Sequence, residues 1–375
     1  MATIFEATEL NGMKLRNRTV RSATSEGLAA PNGYPTDRLT RVLVDLAEGG
    51  VGMIISGHAY VSPEGQAGSR QLAVLDDGYI GPLAEMASAV HGAGSTIILQ
   101  LAHSGCRAPS ELTGKPAIGP SALSDKKRQY CREMRNDDIR RLHAAFAGAA
   151  KRAQDAGFDG VQLHAAHGYL LSQFLSPLWN KRSDKYGGPV EGRARMLLET
   201  TRAIREAVGR DFVVMAKINC EDFLDGGFTV GDMVAVCSMV EQEGMDAVEM
   251  SGGTFYSGAY QPSRTGQAAC LPEEAYYVAA AEQYKKTVGL PLILVGGIRS
   301  FDVAESLIKD GKADYVAFCR PLIAEPGLIR RWESGSRERA DCKSDNLCFK
   351  PAFAGQGTYC VMKERRKQRE AASKR

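Results

Sequence analysis

The chain has 375 residues, is 44% hydrophobic and 24% charged, and carries a formal net charge of +3, an ordinary balance for an enzyme rather than a nucleic-acid scaffold or a disordered segment. No apolar run approaches the ~20 residues of a bilayer-spanning helix, and the start, Met-Ala-Thr-Ile-Phe-Glu, has no basic region followed by an apolar core, so neither a membrane span nor a secretory leader is expected and the cytoplasm is. Nine cysteines, an odd number and scattered, suit free thiols in a reducing compartment better than a disulfide framework.

Eight short apolar runs read as strands: 19–22, 51–56, 96–101, 160–164, 212–218, 247–250, 291–295 and 315–318. Brief runs rich in Val and Ile fit strands buried on both faces. Amphipathic segments between them read as helices at 36–48, 79–92, 137–156, 190–208, 230–243, 272–288 and 301–309. In the third helix Ile139, Leu142, Phe146, Ala149 and Ala153 recur at spacings of three and four and share one face. Asp137 and Asp138 complement its dipole at the start, and Gly157 follows its last turn. This alternation predicts an α/β fold, a single (β/α)8 TIM barrel, with an open doubly wound sheet as the alternative. Residues 104–135, with Pro109, Gly114, Pro116, Gly119 and Pro120, form a long capping insertion after the third strand. The barrel is assigned to 1–335 and a short C-terminal extension to 336–375, ending in the basic run 363–375. That run has no interleaved aromatics and reads as a solvated terminal helix, not a nucleic-acid site.

In such a barrel the chemistry gathers at the C-terminal strand ends. Ser22, Ala23, Thr24 and Ser25 follow the first strand, and His58 the second. Gln100 and His103 belong to the third, His164, His167 and Tyr169 to the fourth, and Lys217 to the fifth. Gly296, Gly297 and Arg299 follow the seventh strand, and Cys319 and Arg320 the eighth. The last two ends are the usual phosphate position of these barrels, where glycines admit backbone N–H groups to the anion. Neither a Gly-x-Gly-x-x-Gly fingerprint nor a Walker A loop occurs, so a separate dinucleotide domain or a triphosphatase is unsupported.

Three strings carry a resemblance: Asn17-Arg18, Ile-Leu-Gln-Leu-Ala-His-Ser-Gly at 98–105, and residues 157–188, which include His-Ala-Ala-His-Gly-Tyr at 164–169. From about residue 10 to about 328 the chain resembles the Old Yellow Enzyme family of FMN-dependent NADH:flavin oxidoreductases. The resemblance implies FMN at the barrel top and NADH or NADPH as hydride donor. Ser22, Ala23 and Thr24 would line the isoalloxazine, Ser25 would lie near its O4, and Gln100 would bond its pyrimidine edge. Lys217 would stand beside N1 and O2, where a cation stabilises the anionic reduced flavin. Gly296, Gly297, Cys319 and Arg320 would hold the phosphate with the backbone around them, and His58 would contribute its main chain. His164 and His167 would bind the activating oxygen of a small-molecule alkene. Hydride would pass from flavin N5 to the β-carbon, and Tyr169 would protonate the α-carbon.

A longer branch of the family follows the barrel with an iron–sulfur cysteine cluster and further cofactor domains. Cys342, Cys348 and Cys360 resemble that motif, but Asp345 occupies a ligand position and the spacing is short by one. No iron–sulfur cluster and no metal is therefore expected, and reduced nicotinamide would dock directly over the flavin or a separate reductase would supply electrons. The expected function is reduction of activated C=C bonds, with no nucleic-acid or membrane partner and with a homo-oligomer compatible. Two alternatives stand beside it: a flavin-free phosphate-binding lyase or isomerase using Lys217 as a Schiff-base amine, and a flavoprotein electron-transfer subunit.

Overall fold

A computed structural model describes residues 2–124, 129–265 and 274–373. Eight parallel strands close into a barrel: β1 Thr19–Arg21, β2 Met53–Ile55, β3 Thr96–Ala102, β4 Gly160–Ala165, β5 Val213–Asn219, β6 Ala247–Ser251, β7 Leu292–Val295 and β8 Tyr315–Phe318. Each pairs with its neighbour in chain order, β8 pairs with β1, and so no edge is left. Helices α1 Asp37–Glu48, α2 Ile80–Gly92, α3 Asn136–Asp155, α4 Val190–Val208, α5 Val230–Gln242, α6 Val278–Thr287 and α7 Phe301–Lys309 follow the first seven strands. All eight runs read from the sequence coincide with these strands to within two residues. The segment 272–288 contributes α6 only from Val278, and residues 272–273 lie outside the described part.

Local chemistry sets the helix starts. Thr36 accepts the Leu39 N–H at 3.2 Å ahead of α1, and Thr229 and Asp232 form a reciprocal capping box at α5. The apolar face of α3 (Ile139, Leu142, Phe146, Ala149 and Ala153) is buried throughout against the strands and α4. A separate inner cluster of Val20, Met53, Ile55, Ile98, Val213, Met215, Ala247 and Ile293 fills the barrel. Leu10, Met13 and Leu15 of an antiparallel hairpin, Thr8–Leu10 with Met13–Leu15, join that cluster and plug the N-terminal end. The apolar plug leaves the polar side chains for the opposite end. Among the described residues no helix is long and apolar enough to cross a membrane.

Within the capping insertion, Ala117–Gly119, Leu123–Ser124 and Gln129–Glu133 build a small three-stranded sheet. One expectation needs correction: the cysteines are not all free, because Cys106 and Cys131 form a disulfide inside that cap. They are 25 residues apart in sequence and meet only because the cap folds back on itself. A β-carbon on Gly119 would lie 2.1 Å from the Cys106 sulfur, so the glycine makes room for the pair.

Candidate active site

Strand register assembles the floor of the site. Gln100 stands opposite Gln162, and Lys217 opposite Glu249. Gln100 donates Nε2–H to Gln162 Oε1 at 2.7 Å, and Gln162 donates Nε2–H to Glu249 Oε2 at 2.8 Å. Lys217 Nζ donates to Glu249 Oε1 at 2.9 Å and to Ser22 Oγ at 2.7 Å. These five side chains are buried and form one hydrogen-bonded layer joining four strands and the end of β1. Glu249 thus balances the Lys217 ammonium. Gln162 and Glu249 were missed as interior members of apolar runs; a polar residue inside a doubly buried strand is the signal that marks them.

Above this layer the chain leaves β4 in an unusual conformation. His167 has φ +62° and Gly168 φ +74°. The strained turn is held by the Asn219 side chain, whose Oδ1 accepts the His167 N–H at 3.1 Å, and by a bridge between His167 and Thr254. It brings His164 and His167 ring centroids to 5.3 Å and His164 and Tyr169 to 4.4 Å. His167 Nε2 and Ser251 Oγ are hydrogen-bonded at 2.7 Å. His164 Nδ1 is buried with no partner among the described residues. His58 enters through its side chain rather than its main chain alone, with Nε2 3.3 Å from Tyr169 Oη. His103, by contrast, turns away: its Nδ1 accepts the Gly105 N–H, and its ring packs beside Gly65.

Burial is the main cause of the titration shifts here. It holds His164 and His167 well below the usual histidine range, helped at His164 by His167, His58, Lys217 and Arg107 and at His167 by Lys217, Arg107 and His58. His58 is pushed down to about 4 by burial and then by Arg107. The Tyr169 phenol is raised by burial. At neutral pH all three imidazoles are neutral and the phenol keeps its proton.

The phosphate position is divided. Gly296 and Gly297 have φ +126° and +75°, and a β-carbon on Gly297 would come within 2.3 Å of the Tyr276 ring. Bare backbone is required there, which makes a cradle suited to a phosphate. Arg320, however, donates from Nη1 to the Arg264 carbonyl and to Asn346 Oδ1, both at 2.8 Å. Cys319 Sγ lies 3.1 Å from Thr24 Oγ1. Ala23 is half-buried, while Ser25 is exposed and accepts the Thr358 hydroxyl at its carbonyl. The C-terminal extension therefore leans on the ends of β1 and β8, and Asp345, Cys342, Cys348 and Cys360 line one small cavity with Arg320.

The description NADH:flavin oxidoreductase / NADH oxidase family matches residues 3–339. The chain is 36% identical over 341 residues to a metal reductase of Desulforamulus reducens, covering 90% of this chain and 50% of that protein. It is 33% identical over 328 residues to an NADPH dehydrogenase of Clostridium acetobutylicum, covering 87% of this chain and 93% of that one. Among solved structures, an old yellow enzyme homologue from Zymomonas mobilis superposes with a TM-score of 0.76 at 25% identity, over 91% of this chain and 96% of that chain. The chain spans about half the length of the metal reductase and of an NADH oxidase from Thermoanaerobacter brockii. A closed barrel with a polar, histidine-bearing mouth and a match along nearly its whole length make this chain a member of the NADH:flavin oxidoreductase / NADH oxidase family, with the old yellow enzyme fold.

Proposed function

We propose that the protein is an FMN-dependent NAD(P)H oxidoreductase that reduces an activated C=C bond of a small molecule. The observation that carries the reading is the neutral cluster of buried His164 with the half-buried His167 and Tyr169 at the barrel mouth that also holds the Gln100–Lys217 layer. The residues fit a flavin: a bare-backbone cradle at Gly296 and Gly297 and a row of buried donors at Ser22, Thr24, Gln100 and Lys217. Those residues would hold FMN, which supplies hydride-transfer chemistry when bound.

The chain's own groups do the rest. In this reading the Ser251 hydroxyl, 2.7 Å from His167 Nε2, donates to it, and that tautomer leaves an N–H on Nδ1 for a substrate oxygen. His164 binds the same oxygen beside it, and two neutral donors polarise a carbonyl or nitro group without adding charge. Tyr169 holds a proton on Oη and delivers it to the α-carbon, with His58 orienting the hydroxyl. The barrel over 1–335 carries this chemistry, and the extension that follows lies against one side of the mouth through Asn346 and Thr358. Glu249 and Ser22 engage the Lys217 amine, which removes the nucleophile from the lyase reading. The cysteine set with Asp345 holds no cluster in this reading; near-stoichiometric iron and acid-labile sulfide in anaerobically purified protein would overturn that.

The test is a two-stage experiment on the FMN-loaded protein. Reduced nicotinamide bleaches the flavin band, and cyclohexenone restores it. Tyr169→Phe slows the second stage by roughly a hundredfold, within the range of a lost general acid, and changes the first by no more than about twofold. Enones that never reoxidise the reduced protein, or a protein that cannot be loaded with FMN, would sink the proposal.

A further inference from the structure

Arg107 is a partly buried arginine that faces no carboxylate among the described residues. Arg21, Arg182, Arg193 and Arg205 each face one, Glu26, Asp184, Asp232 and Asp246, whereas Arg320 bonds the Arg264 carbonyl and Asn346, and Arg264 stacks on four aromatic rings away from the histidines. Arg107 has no ion pair or hydrogen bond from its guanidinium among the described residues, and its Nη1 is buried with no partner. It ends the short turn Gly105–Arg107 that follows β3, so the strand end delivers it to the same mouth as the histidines. Its guanidinium carbon lies 3.6 Å from the Phe255 ring centroid and 5.7 Å from that of Tyr169.

This arrangement has a chemical direction. A cation partly withdrawn from water without a counter-charge is costly, and aromatic stacking offsets only part of that cost. Stacking on Phe255 covers one face of the guanidinium and leaves its in-plane N–H groups available. Two parallel N–H donors match the two oxygens of a carboxylate. A phosphate would call for further cations or a backbone nest, and among the described residues Arg107 has neither beside it; the described titratable groups near it are Tyr169, Tyr256 and the three neutral histidines. The rim next to it is apolar and open. Phe255 is 53% and Tyr256 59% exposed, and Tyr256 tilts against Trp179 with centroids 5.1 Å apart.

We infer that Arg107 is an anion subsite of the substrate pocket, and that the substrate is an activated alkene with a carboxylate on an apolar body. The carboxylate pairs with Arg107, the apolar body lies against Phe255 and Tyr256, and the activating oxygen reaches His164 and His167. The inference rests on the ene-reductase reading for the reaction but not for the binding.

The experiment compares a cyclohexenone bearing a propanoate arm with its methyl ester, on the FMN-loaded protein. A charge-assisted pair is worth about tenfold to a hundredfold, so kcat/KM for the acid exceeds that for the ester by at least about tenfold, mainly through KM. Arg107→Met brings the ratio to about one, and Arg107→Lys leaves it between the two. A second arm measures calorimetric binding of the corresponding saturated keto acid and its ester, which needs no turnover. The acid binds the wild type at least about tenfold more tightly, and Arg107→Met abolishes the difference. Equal handling of acid and ester by the wild type, or a preference that survives Arg107→Met, overturns the inference. If no enone reoxidises the reduced flavin, the ene-reductase reading fails, and the binding arm alone decides for or against Arg107.

Discussion

Glu249 is the residue on which the floor of the site depends. It is fully buried, receives Lys217 on one oxygen and Gln162 on the other, and leaves no lone donor in the layer. Such a pair contributes little net stability when intact, yet removing one partner strands a buried charge. Glu249→Ala is therefore expected to lower unfolding free energy by about 3 kcal/mol or more, read from the urea midpoint of the apoprotein. A loss below about 1 kcal/mol would mean that Lys217 finds another partner. His164, His167 and Tyr169 were legible as residues because they stand close together at a strand end. Arg107 and Glu249 were not, since what distinguishes them is a missing partner in one case and a cross-strand partner in the other.

At the scale of elements, the cap shows how much a local reading leaves open. Pro and Gly punctuation marked 104–135 as an insertion, but the pairing of Ala117–Gly119 with Gln129–Glu133 is non-local and carries no spacing signal. The same fold-back joins Cys106 to Cys131. Two of the nine cysteines are thus expected to escape alkylation when the protein is unfolded without reductant, seen by mass spectrometry. Cys131→Ser would cost about 3 kcal/mol of constraint on a loop of this length and would show first as faster proteolysis of the cap. Full alkylation of every cysteine would refute the pairing. The strands, in contrast, were readable almost to the residue, because a doubly buried parallel strand is a short apolar run with little else available to it.

Across the whole molecule, acid stability follows from the histidines. His58, His103, His143, His164 and His167 are all held below the ordinary value, chiefly by burial. The unfolded chain takes up their protons near pH 6.5, before the folded chain does. Their stabilising contribution is complete above about pH 6.5 and is lost as pH falls, by up to about 1.4 kcal/mol per pH unit for each group. Glu26, pushed up to about 7 by burial, pulls the other way, as do Asp222 and Asp246. The five histidines outnumber these, so the urea midpoint of the apoprotein falls between pH 6.5 and 5. A midpoint that is flat or rises over that interval would show that the histidines are solvated.

The sequence by itself determined the barrel and its strand boundaries, and it singled out the polar strand ends and the His-His-Tyr string as the candidate site, because each is written in short-range pattern: burial period, strand-end polarity and contiguous motif. Only the tertiary structure decided which of those polar residues answer one another. Gln162 and Glu249 complete the floor, Ser251 and Asn219 fix His167, His58 reaches Tyr169, and Asn346 of the extension takes Arg320. Those pairings join residues from different strands and loops, and their energies depend on burial and distance, which exist only once the barrel has closed.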